Sequence, residues 1–184
     1  AKEEKLKSKD QQLQSMEVAY QELKKQFERQ INEKEMEIEN LIGKLNIKLL
    51  DKILFPSGSS EITSDGNGVL KSLATELRKM EGFEISVAGH TDNVPLGKDN
   101  PFQTNWHLST ARSVAVVLYL KKAGVRPKSL SAAGYAHLRP VASNKSAKGK
   151  ARNRRIEIVL MPNLKELPDL TALEAEFGLK EPEV

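Results

Sequence analysis

The helix-breaking residues of this chain are segregated. All 8 prolines lie at Pro56 or beyond, and of the 11 glycines only Gly43 comes before that point. Proline removes a backbone donor and glycine weakens a helix, so the 184 residues divide into a first part free to run as one helix and a second part cut into short elements.

In the first part Leu6, Leu13, Tyr20 and Phe27 recur every seven residues, with Met16 and Leu23 three residues after two of them, which is an a/d seam. Lys9 and Gln30 interrupt it. The seam then steps four residues to Ile31 and resumes through Ile38, Leu41 and Leu45, a stutter that unwinds a supercoil locally. The spacing predicts a helix over residues 1–45, about 65–70 Å long at 1.5 Å per residue. It would act as a coiled-coil spacer that pairs the chain into a homodimer. Charges of both signs are interspersed along it, as on a solvated helix surface.

From Asn46 the period changes to two. Ile47, Leu49, Asp51, Ile53 and Phe55 alternate with Lys48, Leu50, Lys52 and Leu54 until Pro56-Ser57-Gly58, which predicts a strand. Ser64 or Asp65 would cap a helix carrying Leu70, Leu73, Leu77 and Met80 and ending at Gly82. A second strand follows through Phe83, Ile85, Val87 and Gly89, then a polar loop from Thr91 to Gln103. Thr104 or Asn105 would cap a helix to Lys122 with Leu108, Ala111, Ala115 and Leu118 as its apolar stripe and Gly124 as its stop. Ser129–Tyr135 and Arg155–Met161 are the remaining strands. The order β-α-β-α-β-β over residues 46–162 predicts an α+β sandwich, with helices on one face of a mixed sheet. Residues 163–184 form an acidic tail in which Leu170, Leu173 and Phe177 have the spacing of a short helix packed on the domain.

Composition narrows the chemistry. There is no cysteine, which excludes disulfide scaffolds, zinc ribbons and thiol catalysis. The longest apolar run, Val114 to Leu120, is far short of the roughly 18–20 residues that span a bilayer, so any membrane anchor would lie outside this chain. The three histidines, His90, His107 and His137, lack metal-ligand spacing. His107 and Ser109 are two helical residues apart and point away from each other, so they make no nucleophile and base. A non-enzymatic protein without metal or cofactor is expected.

The net charge of +4 is carried by residues 46–162, because the segment before them is nearly neutral and the tail is acidic. Arg139, Lys145, Lys148, Lys150, Arg152, Arg154 and Arg155 lie together in a stretch without acids, which suits an anionic partner. Nucleic acid is the competing reading, through the Lys145–Arg155 loop of a dimer. That loop has no aromatic residue for stacking and no reading helix, so no nucleic-acid partner is expected.

Ala88-Gly89-His90-Thr91-Asp92-Asn93 places an acid and an amide where a strand ends beside the next helix start, a plausible ligand rim. On that helix Asn105, Ser109 and Arg112 share one face, a polar column beside Leu108. Arg112 lies among apolar neighbours and needs an anionic partner or a solvated cleft. Two readings stay open. Arg112 pins loop to helix by pairing with Asp92 or another carboxylate, or Asp92 and Arg112 stand apart and hold the two ends of a zwitterion.

Gly89-His90-Thr91-Asp92-Asn93, then Asn105-Trp106-His107-Leu108-Ser109-Thr110-Ala111-Arg112-Ser113 with Val114 and Val117, resembles the OmpA-like family of peptidoglycan-binding domains. Asn153-Arg154-Arg155-Ile156 looks like its closing signature, and Leu54-Phe55 with Gly58 like its opening strand. The loop Asn93-Val94-Pro95-Leu96 with Thr104-Asn105-Trp106 is closer to the family's MotB-type branch than to its Pal-type branch. The resemblance covers roughly residues 46–162. It implies an envelope protein, on the periplasmic side of a Gram-negative-type cell, that holds the diaminopimelate of a peptidoglycan stem peptide non-covalently. Asp92 would take the ammonium and Arg112 the carboxylate, with Thr91, Asn93, Asn105, Leu108 and Ser109 lining the site and Arg155 nearby. A stator-like or OmpA-like wall anchor is implied, with a passive lipoprotein or a secretion-system wall anchor as the alternative.

Overall fold

The computed structural model describes residues 2–41 and 44–163. The long helix expected over residues 1–45 is the main correction. Helix α1 spans Lys2–Gln26, and a short helix α2, Glu28–Asn32, extends it. The chain then turns at Lys34, whose φ is 58°. The Lys34 N–H donates to the Ile31 carbonyl at 3.0 Å and the Glu35 N–H to the Gln30 carbonyl at 2.9 Å, the paired bonds that close a helix end around one left-handed residue. No glycine marks this stop, so the breaker pattern does not show it.

Residues assigned to the second coiled-coil block are instead strands. β1, Met36–Leu41, pairs antiparallel with β2, Lys44–Leu50, with Leu41 opposite Lys44. Met36-Glu37-Ile38-Glu39 alternates apolar and acidic residues, so it satisfies a period of two as well as its share of the heptads. β2 ends five residues sooner than expected. Asp51–Leu54 is a one-turn helix, α3, closed by the Phe55 N–H on the Asp51 carbonyl at 2.8 Å.

The remaining elements follow the predicted order. Helix α4 spans Ser64–Leu77, and its cap is Thr63 rather than Ser64 or Asp65, since the Thr63 hydroxyl accepts from the Gly66 N–H. β3 is Phe83–His90, α5 is Asn105–Lys122 capped by Thr104, and β4 is Leu130–Gly134. Within the stretch expected to be a basic loop, Ala147–Asn153 forms helix α6, capped by Ser146. β5 is Arg155–Pro162. The tail helix expected around Leu170, Leu173 and Phe177 lies outside the described residues.

The five strands form one mixed sheet in the order β1-β2-β5-β3-β4, with β3 and β4 parallel and the other pairs antiparallel. Ile47, Ile158 and Val87 lie side by side across β2, β5 and β3, as do Leu45, Leu160 and Ile85, and all six are buried. Leu70, Leu73 and Leu77 of α4 and Val116 and Leu120 of α5 belong to the same core. Met16, Ala19 and Leu23 of α1, and Phe27 between α1 and α2, join it too. The heptad seam from Met16 onward is therefore spent inside the chain's own domain, so the domain boundary at residue 45 moves back into α1.

α5 is rotated from the expected orientation. Its buried residues are Leu108, Ser109, Arg112, Ser113, Val116 and Leu120, whereas Leu118 of the predicted stripe is 57% exposed. Gly89 and Gly134 sit opposite each other in β3 and β4, and a side chain at either would run into Ser109 or Thr110 of α5. The two glycines let the start of the helix press onto the strand ends, and this brings the polar column inward.

Candidate functional site

Three strand ends and one helix build the site. Asp51 follows β2, Arg154 precedes β5, Asp92 lies two residues after β3, and Arg112 projects from α5. The Asp51 N–H donates to the Arg154 carbonyl at 3.0 Å, which carries the β2–β5 ladder one step past its last pair, Leu50 with Arg155. The pairing of His90 with Arg155 brings the β3 end alongside.

Arg112 has 2% of its side chain exposed. Its Nη1 donates to Asp51 Oδ2 at 2.7 Å, Nε to the Ser59 carbonyl at 2.8 Å and Nη2 to the Pro56 carbonyl at 3.2 Å. The guanidinium also lies 5.2 Å from the centre of the Phe55 ring. Among the described residues, three of its five N–H groups are engaged. Burial pushes the Arg112 pKa below its ordinary value, although Asp51 opposes the shift. The same burial pushes the Asp51 carboxyl above its ordinary value against the pull of Arg112 and Arg154.

Asp92 is also buried and does not pair with Arg112. Its Oδ2 accepts from Arg154 Nη1 at 2.5 Å, and its Oδ1 from the Val94 N–H at 2.9 Å. Arg154 Nε lies 3.8 Å from Asp51 Oδ1. Two carboxylates and two guanidinium groups thus alternate as Arg112, Asp51, Arg154 and Asp92, and their formal charges cancel.

These four groups line a cleft of about 540 Å³, together with Thr91, Asn105 and Leu108 on one side and Phe55, Ser57 and Gly58 on another. The loop from Val94 to Gly97 forms part of the wall. Asn105 Nδ2 donates to the Val94 carbonyl at 2.9 Å, and Asn100 Nδ2 to the Gly58 carbonyl at 3.1 Å, so the loop is tied to the helix and to the opposite rim. Thr91 donates its hydroxyl proton to the Asp92 carbonyl at 2.9 Å.

Of the residues predicted for the site, Asp92, Arg112, Thr91, Asn105 and Leu108 come together around the cleft. Three do not line it. Ser109 is sealed in the seam between helix and sheet, where its Oγ accepts from the Ala136 N–H at 3.1 Å and donates to the Trp106 carbonyl at 3.1 Å. Asn93 is exposed on the loop. Arg155 is buried and bound by Glu157 at 2.6 Å and by the carbonyls of Asn153 and Arg139. Two residues that matter were missed as site residues. Asp51 falls inside the continuous strand that the alternation predicts, and within the closing signature the resemblance points to Arg155 rather than to Arg154. The lone acid in the otherwise apolar positions of Ile47-Leu49-Asp51-Ile53 was the available signal for Asp51.

No group of three His, Asp or Glu side chains converges as metal ligands among the described residues. No described helix is long and apolar enough to cross a membrane.

Residues 54–154 match the OmpA family. Motility protein B of Bacillus subtilis (strain 168) is 37% identical over 145 residues, a match that covers 76% of this chain and 55% of that protein. The chain thus spans about half the length of that relative. Among solved structures, a MotB-like protein from Desulfovibrio vulgaris superposes with a TM-score of 0.75 at 29% identity, covering 83% of this chain and 94% of the other. The cell wall anchor of the T6SS from Pseudomonas aeruginosa superposes with a TM-score of 0.70 at 31% identity, covering 76% and 96%. With the family's motifs lying on the cleft and its fold around them, similar in sequence and shape to MotB-type proteins, the chain belongs to the OmpA family.

Proposed function

We propose that this chain is a wall-binding head that holds peptidoglycan without covalent chemistry, through the zwitterionic end of a diaminopimelate side chain. The observation that carries the reading is the alternating quartet of Arg112, Asp51, Arg154 and Asp92 in one cleft, which offers both a carboxylate and a guanidinium to a ligand of paired opposite charges. Asp92 takes the ammonium and Arg112 shares its remaining N–H groups with the carboxylate. Thr91, Asn105 and Leu108 shape the walls. The role is binding rather than catalysis, and none of the three histidines lines the cleft.

The likenesses support an envelope setting, on the periplasmic side of a membrane that holds the rest of a longer protein. The names Motility protein B and cell wall anchor of the T6SS belong to proteins similar to this chain, and both a stator-like anchor and a passive or secretion-system anchor would use the same head.

The test is co-sedimentation of the purified chain with insoluble peptidoglycan containing diaminopimelate, against wall material with lysine at that position. Selective pelleting that Asp92→Asn abolishes is the expected result. Equal pelleting of wild type and Asp92→Asn, or with both wall types, would overturn the reading.

A further inference from the structure

We propose that Arg154 decides which ligand the cleft accepts, because a ligand must displace its guanidinium from Asp92 and then offer it one oxygen of the carboxylate whose other oxygen Arg112 holds. This rests on the wall-binding reading above and names what sets its selectivity.

Of the four groups of the quartet, Arg154 alone is substantially accessible, with 39% of its side chain exposed against 9% for Asp51 and Asp92 and 2% for Arg112, and the other charged residue lining the cleft, Lys52, has its charge balanced by Glu35 at 2.5 Å. Its backbone is fixed. The carbonyl accepts from the Asp51 N–H at 3.0 Å, and the Arg154 N–H donates to the Lys150 carbonyl at 3.1 Å. The side chain alone is therefore free to move. Its Nη1 holds the Asp92 oxygen that a ligand cation would need, since the other oxygen is committed to the Val94 N–H. Asp51, which would be the alternative acceptor, already receives Arg112 at 2.7 Å and stands 3.8 Å from Arg154 Nε.

The charge balance then selects. The quartet is neutral, so an amine that evicts Arg154 from Asp92 leaves an excess positive charge in a partly desolvated cleft, which is unfavourable. A ligand that carries a carboxylate beside its amine adds no net charge. It also gives the freed guanidinium a planar acceptor. Diaminopimelate has both groups on one carbon, whereas a lysine side chain ends in the amine alone. Discrimination between them follows from the exchange of Arg154 between partners, without any change in the shape of the pocket.

The experiment is calorimetric titration of the full chain with two soluble stem peptides that differ only in carrying diaminopimelate or lysine. Wild type should favour the diaminopimelate peptide by about tenfold or more, and Arg154→Gln should shrink that ratio by about tenfold, mainly by gaining affinity for the lysine peptide. An unchanged ratio in Arg154→Gln, with both affinities moving together, overturns the proposal. Binding of neither peptide by wild type overturns the wall-binding reading itself, and the inference with it. Should Arg154→Gln lose its folded melting transition, the Nε–Hε resonance of Arg154 in wild type decides instead. It should shift at saturation with the diaminopimelate peptide, and an unmoved resonance overturns the proposal.

Discussion

Arg112 and Asp92 are both buried acids or bases of one cleft, yet their removal should have different consequences. Arg112→Ala strips Asp51 of its 2.7 Å partner and leaves a buried carboxylate whose remaining cation is Arg154 at 3.8 Å. Breaking a buried pair in this way costs about 3–5 kcal/mol, so a large fall in melting temperature is expected. Asp92→Asn releases Arg154, which is part-exposed and can turn to solvent, and should cost about 1 kcal/mol or less. Thermal melting of the two variants checks this, and it makes Asp92→Asn the cleaner probe of binding. A third residue acts through pH. His90 is buried and stacked on Tyr135 with ring centres 5.3 Å apart, and neither ring nitrogen has a hydrogen-bond partner among the described residues. Burial, helped by Arg155 and Arg139 and opposed by Glu157, pushes its pKa down from 6.5 to about 4. The unfolded chain then binds the extra proton first. The stability contributed by neutral His90 is complete above about pH 6.5 and is lost as pH falls toward 4, by about 3 kcal/mol at most. His90→Phe should flatten the pH dependence of chemical denaturation across that window, and an unchanged slope would contradict the assignment.

At the scale of elements, α1 is part of the domain rather than a spacer ahead of it. Leu23 is fully buried beside Met16, Ala19 and Phe27 in the same core as the sheet. Leu23→Ala should therefore destabilise the whole domain by about 2–5 kcal/mol in urea denaturation. A helix that merely led to the head would tolerate the change without loss in the head's own transition. Much of the element order was legible because periodicity and punctuation agreed there. Gly82 and Gly124, both with positive φ, close the approach to β3 and the end of α5 where the glycines predict. The helix end at Lys34 was not legible, since a lysine occupies the left-handed position that glycine usually marks. The buried face of α5 was also misread. A search for apolar residues passes over Ser109, Arg112 and Ser113, which are buried because their polar atoms find partners in other elements or along the helix itself.

For the molecule as a whole, the consequence falls on association. The heptads predict a homodimer through residues 1–45, but from Met16 onward the seam packs on the chain's own sheet, and Leu13 is the last seam position left exposed before it. The stretch before Met16 is about four turns of helix, marginal for a helix pair in water. The 184-residue chain should sediment as a monomer with respect to this helix. A dimer that Leu13→Glu dissociates would restore the coiled-coil reading.

The sequence by itself determined the order of the head's main strands and helices, the family, and the placing of Asp92 and Arg112 at one loop–helix junction, because periodicity, caps and linear motifs are local properties of the chain. Only the tertiary structure decided what those two residues face. Asp51 and Arg154 are far apart in the chain, and they become neighbours through the antiparallel pairing of β2 with β5. Tertiary packing also decided the fate of the heptads, since an apolar stripe on a helix specifies that something must cover it, but not whether the cover is a second chain or the chain's own sheet.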